Sequence, residues 1–483
     1  MVNGMRLDVQ HRATTLQGED LYFTNFTYDP ACYYFLYIGE LKAYGLNEFV
    51  REALQKRVPG REVRFAAIIP DVCVQYYFTD VIVINPLCGG GAAAAGTSSP
   101  PGPRTSCRMA IGSFMTAVSA SATVRDLIAA ILAHQPELYL SMFESVVEMT
   151  LDALDRVSIL GPDKAIARHW NSKLVQFTEL PEVVPLVEGE ICRGLAALLT
   201  RTAALRDSWP DGIFVSAAYS AAGINSAVTR SQDEVRRRFT AEDGDYLITR
   251  YIPHDLDPTV LAVVANGQDV YIAGIADQHI VDGNRFVGSS FPSQVTAAQA
   301  ALLRAYTIAA GRALGAAGYR GIFGCDYLID HQGGIWFLEI NARKQGTTFE
   351  FCCTLEQNLP AGAPSLLELE CHAVLHGCFP PGTVATAANR RQLHWETYNH
   401  KVAAPVRTRG YIPQNTGERE SFRRVAAKEL EMDYVIVEHL GAPLTVMPGT
   451  FLARVISVAR SQDNVALGLR QGMNLVKQTF QHV

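Results

Sequence analysis

In the run from Gly321 to Thr348, GIFGCDYLIDHQGGIWFLEINARKQGTT, two carboxylates and an amide stand at spacings that could hold a metal ion. Strand-like runs from Phe323 to Asp330 and from Ile335 to Asn341 flank His331-Gln332-Gly333-Gly334, a link suited to an antiparallel hairpin. With Asp330 opposite Ile335, Asp326 falls directly opposite Glu339, and Asn341 lies two residues along on the same face. Like charges facing each other across a ladder cost up to about 1 kcal/mol, and more where water is excluded. A hard divalent cation between them removes that cost, and an all-oxygen set of Asp, Glu and Asn favours Mg²⁺ over zinc. Mg²⁺ held by few protein groups shares its shell with phosphates, which points to ATP. Arg343, Lys344 and the turn Gly346-Thr347-Thr348 add positive charge and backbone N–H groups beside them. The alternative is an ordinary hairpin with solvated acids at its end, and the apolar flanks of both strands weigh against it.

Such a site needs a frame. The chain has 483 residues, 48% hydrophobic and 19% charged, which predicts two to four globular domains with a large core. A net charge of −6 argues against a phosphate-backbone footprint, so nucleic acid is not an expected partner. The polar start, Met1 to Arg12, has no export signal, and apolar runs such as Arg64 to Pro70 and Val81 to Leu87 fall short of the roughly 20 residues that span a bilayer. No membrane association is expected. Ten cysteines without a CxxC pair, Cys352 and Cys353 adjacent, read as reduced thiols in a cytoplasmic protein.

Along the chain, a helical stretch from Gly39 to Arg57 ends at Pro59 and Gly60, and two strand-like runs follow between Ile68 and Leu87. Gly89 to Pro103 is a low-complexity loop. Apolar spacing is helical from Val124 to Val157, and Gly161-Pro162-Asp163-Lys164 marks a domain boundary. Strands dominate from Tyr246 to Val281, and a helix covers Ala297 to Ala317. Leu359 to Thr383 reads as a Pro/Gly-rich connection, and the last hundred residues as a small α+β cap.

The pattern Gly321-x-x-Gly324-x-Asp326, followed by Leu338-Glu339-x-Asn341-x-Arg343, resembles the metal-binding core of the ATP-grasp superfamily, enzymes that join a carboxylate to an amine. Within it the chain is similar to the peptide ligases of pheganomycin biosynthesis. The resemblance implies an ATP-grasp fold of mixed α/β and α+β character, two α+β subdomains clasping ATP. Residues 1–155 would form an N-terminal α/β domain, 156–245 the subdomain with the phosphate-covering loop, 246–390 the subdomain with the metal-binding hairpin, and 391–483 the C-terminal cap. Asp326, Glu339 and Asn341 would bind two Mg²⁺ ions bridging the ATP phosphates, and Arg343 and Lys344 would neutralise charge in transfer.

The phosphate cover is expected at Ser220-Ala221-Ala222-Gly223-Ile224-Asn225-Ser226, where small residues let backbone amides approach the β and γ phosphates, with Ser220 and Gly223 counted among the catalytic residues. An ordinary turn between strands has the same composition. Lys173 would reach the α and β phosphates, with Lys164 as competitor, and either could be a solvated surface lysine. Arg250, Tyr251 and Ile252 would form the hinge whose backbone reads adenine. His254, Asp255 and Asp257 are read as turn caps and not as a metal site, and Arg285 with Gly288 to Pro292 lies where the acyl substrate of such enzymes binds, or is a surface loop. One departure is plain: the superfamily's lysine before the phosphate loop has no counterpart in Phe214-Val215-Ser216-Ala217-Ala218. The implied activity is an ATP-dependent carboxylate–amine (peptide) ligase acting through an acylphosphate, with small-molecule or peptide substrates, in peptide antibiotic biosynthesis, on a chain that could be a homodimer. The rivals are another ATP-grasp activity, a carboxylase or a kinase, and a non-catalytic nucleotide-binding protein.

Overall fold

The computed structural model describes residues 14–15, 18, 20–72, 78–88, 104–221, 224–281, 284–385, 392–408, 417–438, 440 and 444–479. The Gly89 to Pro103 segment, Ala222 and Gly223 lie outside them. The chain divides into two compact units, residues 1–164 together with 349–483, and residues 165–348.

In the first unit, β1 (Phe23–Thr24), β2 (Tyr33–Ile38), α1 (Asn47–Arg57), β3 (Val63–Ile69), β4 (Val81–Val83), α2 (Ile111–Ala120), α3 (Ala122–Leu132), β5 (Leu138–Ser141) and β6 (Val157–Ile159) form an α/β layer. Its sheet runs β1-β4-β3-β2-β5-β6, parallel throughout except at the β1 edge. A parallel sheet is covered on both faces, and every residue of β2 is buried accordingly. Phe114, Met115 and Val118 of α2 and Val124, Leu127 and Ile131 of α3 pack into the same core as Leu36 and Ile68. Among the described residues no single helix is long and apolar enough to cross a membrane; α2 and α3 pass by length and composition only as a pair bent by 64°.

The helical spacing expected from Val124 to Val157 holds only to Leu132. Beyond it the chain turns at Gln135, whose side chain accepts from Tyr34 N (2.9 Å) and donates to Tyr34 O (2.9 Å), and so feeds β5 into the sheet beside β2. The stretch from Gly39 also differs, starting as a 3₁₀ turn (Leu41–Leu46) before α1.

The second unit contains α4 (Lys164–Trp170, its first residue belonging to the first unit), α5 (Lys173–Glu179), β7 (Gly189–Arg193), α6 (Gly194–Leu205), β8 (Ile213–Ala221), β9 (Ile224–Thr229), α7 (Gln232–Arg238) and β10 (Asp245–Arg250). Strands β7-β10-β8-β9 make an antiparallel sheet with its core at Cys192, Leu198, Val215, Val235 and Ile248. Helix α7 is capped by Ser231 accepting from Glu234 N, and carries acids in its first turn and arginines in its last, matching its dipole. A larger antiparallel array follows: β11 (His254–Leu256), β12 (Pro258–Val264), β13 (Val270–Val281), β14 (Arg285–Phe291), α8 (Ala297–Ala316), β15 (Gly321–Asp330) and β16 (Ile335–Asn341). Its order is β11-β15-β12-β13-β14, with β16 on the other edge of β15. Helix α8 opens with a capping box between Thr296 and Gln299, and its Gly315 lies so close to the backbone of Asn266 that a Cβ there would overlap it.

The C-terminal part of the first unit adds α9 (Thr348–Asn358), α10 (Leu366–His376), β17 (His394–Lys401), α11 (Glu418–Ala426), β18 (Tyr434–Val437), β19 (Phe451–Ala459) and α12 (Gln462–Thr479), with β19 between β17 and β18. The expected connection from Leu359 to Thr383 contains α10, capped by Ser365 at one end and stopped by Gly377 in the left-handed region (φ +67°) at the other. Two strong helix ends outweigh the Pro/Gly content around them.

Candidate active site

The hairpin β15–β16 places Asp326 opposite Glu339 and Gly324 opposite Asn341. Nearer the turn the register differs from the sequence expectation: Ile335 pairs with Ile329 and not with Asp330. Asp330 is instead drawn into the turn, accepting from Gln332 N (2.9 Å), Gly334 N (2.8 Å) and Trp336 Nε1 (2.9 Å). A β-bulge between Asp326 and Tyr327 then restores the pairing, because Tyr327 faces Phe337 and Leu338 becomes the extra residue. The carboxylates meet because one register slip cancels another.

Strand β16 is an edge strand sealed by side chains from the start of the unit. The Gln176 carboxamide donates to Ile340 O (2.8 Å), accepts from Ile340 N (2.7 Å) and also donates to Trp170 O (2.6 Å). Asn171 Oδ1 accepts from Ala342 N (2.8 Å), and Phe337 N donates to Pro185 O (2.8 Å). The edge strand bearing Glu339 and Asn341 is therefore held in place and closed to other strands.

Both acids face a cavity of about 190 Å³ within this unit. Asp326 accepts on Oδ1 from Thr259 Oγ1 (2.7 Å) and Gln345 Nε2 (3.1 Å), and on Oδ2 from Asn341 Nδ2 (2.8 Å). Glu339 is in contact with the Lys173 ammonium. Burial pulls Lys173 down to about 8, opposed by the nearby Asp326 and reinforced by Arg343. Arg343 donates to Asn341 Oδ1 (2.8 Å) and Lys344 O (3.0 Å), and Lys344 is buried. Glu350 is bound within the first unit by Arg454.

Opposite the acids, Leu247 and Thr249 of β10 pair with Ser216 and Phe214 of β8, and all four line the cavity. With Leu186, Val187, Leu328 and Phe337 they make apolar walls of the kind a nucleobase requires. Arg250, Tyr251 and Ile252 line it too. Arg250 N and Tyr251 N already donate to Glu188 O (2.9 Å) and Gly212 O (3.0 Å), while Ile252 N has no partner among the described residues. Ile252 O accepts from His254, whose other ring nitrogen is 3.0 Å from Asp257; that hydrogen bond is the main reason the imidazole is shifted upward. His254 and Asp257 thus join the cavity wall as a bonded pair, while Asp255 turns away to His331 (2.7 Å).

Ser220 and Ser226 line the cavity, and Asn225 adopts a left-handed backbone (φ +58°) where the β8–β9 hairpin turns. Ala221 ends β8 beside them. Ser226 O accepts from Asn284 Nδ2 (2.6 Å), linking this hairpin to the β13–β14 hairpin. Of the competing lysines, Lys173 reaches the acids, whereas Lys164 is held by Met149 O (2.6 Å) and Asp152 (2.7 Å) in the first unit. Arg285 and the run to Phe291 form strand β14, so the surface-loop alternative does not hold.

The sequence reading missed Thr259, Gln345, Gln176 and Asn171. Thr259, Gln176 and Asn171 meet their partners 67, 164 and 171 residues away, so no local spacing announces them, and Gln345 returns to Asp326 across 19 residues from beyond the hairpin. Among the described residues no three His, Cys, Asp or Glu come together as a metal cage. Two facing carboxylates and an amide suit a Mg²⁺ ion that completes its shell elsewhere, and the Lys173 ammonium on Glu339 shows that a cation is favoured there.

Residues 213–347 match the model of an ATP-grasp domain. A stretch of 114 residues is 29% identical to the butirosin acyl-carrier-protein–L-glutamate ligase of Niallia circulans, covering 23% of this chain and 27% of that protein. The chain thus matches under a third of the length of that curated relative. Among solved structures, the biotin carboxylase domain of Hydrogenobacter thermophilus 2-oxoglutarate carboxylase, in complex with MgADP, ADP and bicarbonate, superposes with a TM-score of 0.60 at 13% identity, over 93% of this chain and 90% of that one. A carboxyaminoimidazole ribonucleotide synthase from Aspergillus clavatus, complexed with ATP, gives 0.53 at 14% identity, over 92% and 98%. With the hairpin acids, the apolar slot and the segment that matches the ATP-grasp model in one unit, the chain has the ATP-grasp fold.

Proposed function

We propose that the chain is an ATP- and Mg²⁺-dependent ligase that joins a carboxylate to an amine, releasing ADP and phosphate. The observation that carries this reading is the opposition of Asp326 and Glu339, with Asn341 beside Asp326, in the lining of a largely apolar slot that Lys173 also lines. The acids and Asn341 would hold Mg²⁺, which would supply the positive charge that neutralises phosphate oxygens. Leu247, Thr249, Phe214 and Ile252 N would position the base, and Ser220 and Ser226 the phosphates. Arg343 and Lys344 lie beyond the ligands and would neutralise the phosphate in transfer, the guanidinium offering a fixed fork. No nucleophilic side chain is required: positioning and charge neutralisation carry phosphoryl transfer. The substrate carboxylate would take the γ-phosphate as an acylphosphate, and an amine would then displace phosphate.

The domain scheme belongs to this reading, with residues 1–155 preceding the two clasping subdomains and 391–483 following them. The ligase from Niallia circulans is named for joining L-glutamate to an acyl-carrier protein, which supports an amino-acid or peptide substrate and a place in peptide natural-product assembly. Incubation with MgATP, a panel of amino acids and hydroxylamine tests it: hydroxamate and ADP should appear together with one acid class. ADP release with no hydroxamate from any acid, but with phosphorylated product, would replace the ligase with a kinase.

A further inference from the structure

Asp326 receives three hydrogen bonds, all from uncharged donors, and two of those donors also touch each other: Thr259 Oγ1 lies 3.2 Å from Gln345 Oε1. Thr259 and Asp326 face each other across the β12–β15 ladder, and Thr259 is buried. Gln345 reaches back from beyond β16 and lies over Gly324, where a Cβ would overlap its carboxamide. Gly324 here has no special backbone angle; its hydrogen makes the space in which Gln345 sits. A carboxylate held this way cannot rotate freely toward solvent, and the groups around a metal ligand set its orientation and its affinity for the ion.

We propose that Thr259 and Gln345, with the space left by Gly324, are positioning residues that fix the Asp326 carboxylate for Mg²⁺. This rests on the metal-binding role given above to Asp326 and Glu339. The donors are neutral, so they orient Asp326 without competing with the ion for its charge. Thr259→Val removes the hydroxyl at nearly constant volume, Thr259→Ser keeps it, and Gly324→Ala displaces Gln345 without touching either acid.

The test is Mn²⁺ binding in the presence of ADP, followed by electron paramagnetic resonance on folded protein. Thr259→Val and Gly324→Ala should each weaken Mn²⁺ binding by roughly 10-fold, and Thr259→Ser should recover most of it. Thr259→Val or Gly324→Ala binding Mn²⁺ as tightly as the unaltered protein overturns the inference, as does equal weakening in Thr259→Ser and Thr259→Val. If Thr259→Val does not fold, Gly324→Ala decides alone. Glu339→Gln separates the two levels: if it loses Mn²⁺ while Thr259→Val does not, only the positioning role fails, and if it keeps Mn²⁺, the metal site itself fails.

Discussion

In the 165–348 unit Glu339 meets Lys173 beside Asp326; in the other unit Glu350 meets Arg454 beside Glu438 and Glu418. Both are groups of acids gathered around one base, yet their surroundings differ. The first opens onto a cavity, and its Asp326 is bonded by neutral donors. The second is sealed: Glu350, Glu438, Glu418 and Arg454 are 0–6% exposed, and Glu350 Oε2 and Glu438 Oε2 find no hydrogen-bond partner among the described residues. Burial pushes Glu418 up to about 7 and Glu438 and Glu350 above the usual glutamate range, with Arg454 opposing it in each. An acidic cluster near a ligand cavity can bind a cation from solution, whereas a sealed one must be neutralised from within.

The comparison breaks most visibly on activity. Glu339→Gln removes metal charge without volume, so turnover measured by ADP release should fall at least ~10³-fold, the several kcal/mol that metal-borne charge stabilisation supplies, while folding is kept. Arg454→Met should do the reverse. Removing one partner of a buried charge group costs about 3–5 kcal/mol, and at roughly 2–4 °C per kcal/mol the melting temperature should drop clearly, with turnover per folded molecule unchanged. Next comes Arg343→Lys, which trades a fork for a point charge: nucleotide affinity should stay within a few-fold, and ADP release should slow by roughly 10².

The smallest effect is in pH. Glu418 rises from its ordinary 4.5 to about 7 on folding, so the folded chain holds that proton more tightly than the unfolded one. Its contribution is complete below 4.5 and is lost as pH rises through about 7. Glu438, Arg454 and Glu350 share its surroundings and modulate the slope. Stability should therefore decline between pH 5 and 8, and Glu418→Gln should flatten that decline in denaturant titrations. An unchanged slope would mean that Glu418 is not the group titrating in that window.

How far this was legible in the sequence depends on distance along the chain. The hairpin acids could be read because thirteen residues separate Asp326 from Glu339 around one turn, and a two-residue period fixes the face. Even there the register was right at Asp326 and wrong at Asp330, since a turn that consumes an acid and a bulge that returns the residue leave no mark in the pattern. The resemblance assigns Lys173 to the phosphates, and its contact with Glu339, 166 residues away, leaves no mark in the local pattern. The sealed cluster was invisible, because Glu350 and Arg454 are 104 residues apart and each reads as a surface charge. Helix α3 was overextended because apolar spacing alone does not separate a helix from the short buried strand β5 that follows it.

The most direct measurement is the melting temperature of the unaltered protein, Glu339→Gln and Arg454→Met, each with and without ADP and Mg²⁺. A ligand that binds only the folded state at 100 times its Kd stabilises by about 2.7 kcal/mol. The unaltered protein should show that rise; Glu339→Gln should start at nearly the same temperature and lose the Mg²⁺-dependent part of it; Arg454→Met should start lower and keep it. A Glu339→Gln protein that retains the full Mg²⁺-dependent rise would contradict the assignment of the hairpin acids to the metal.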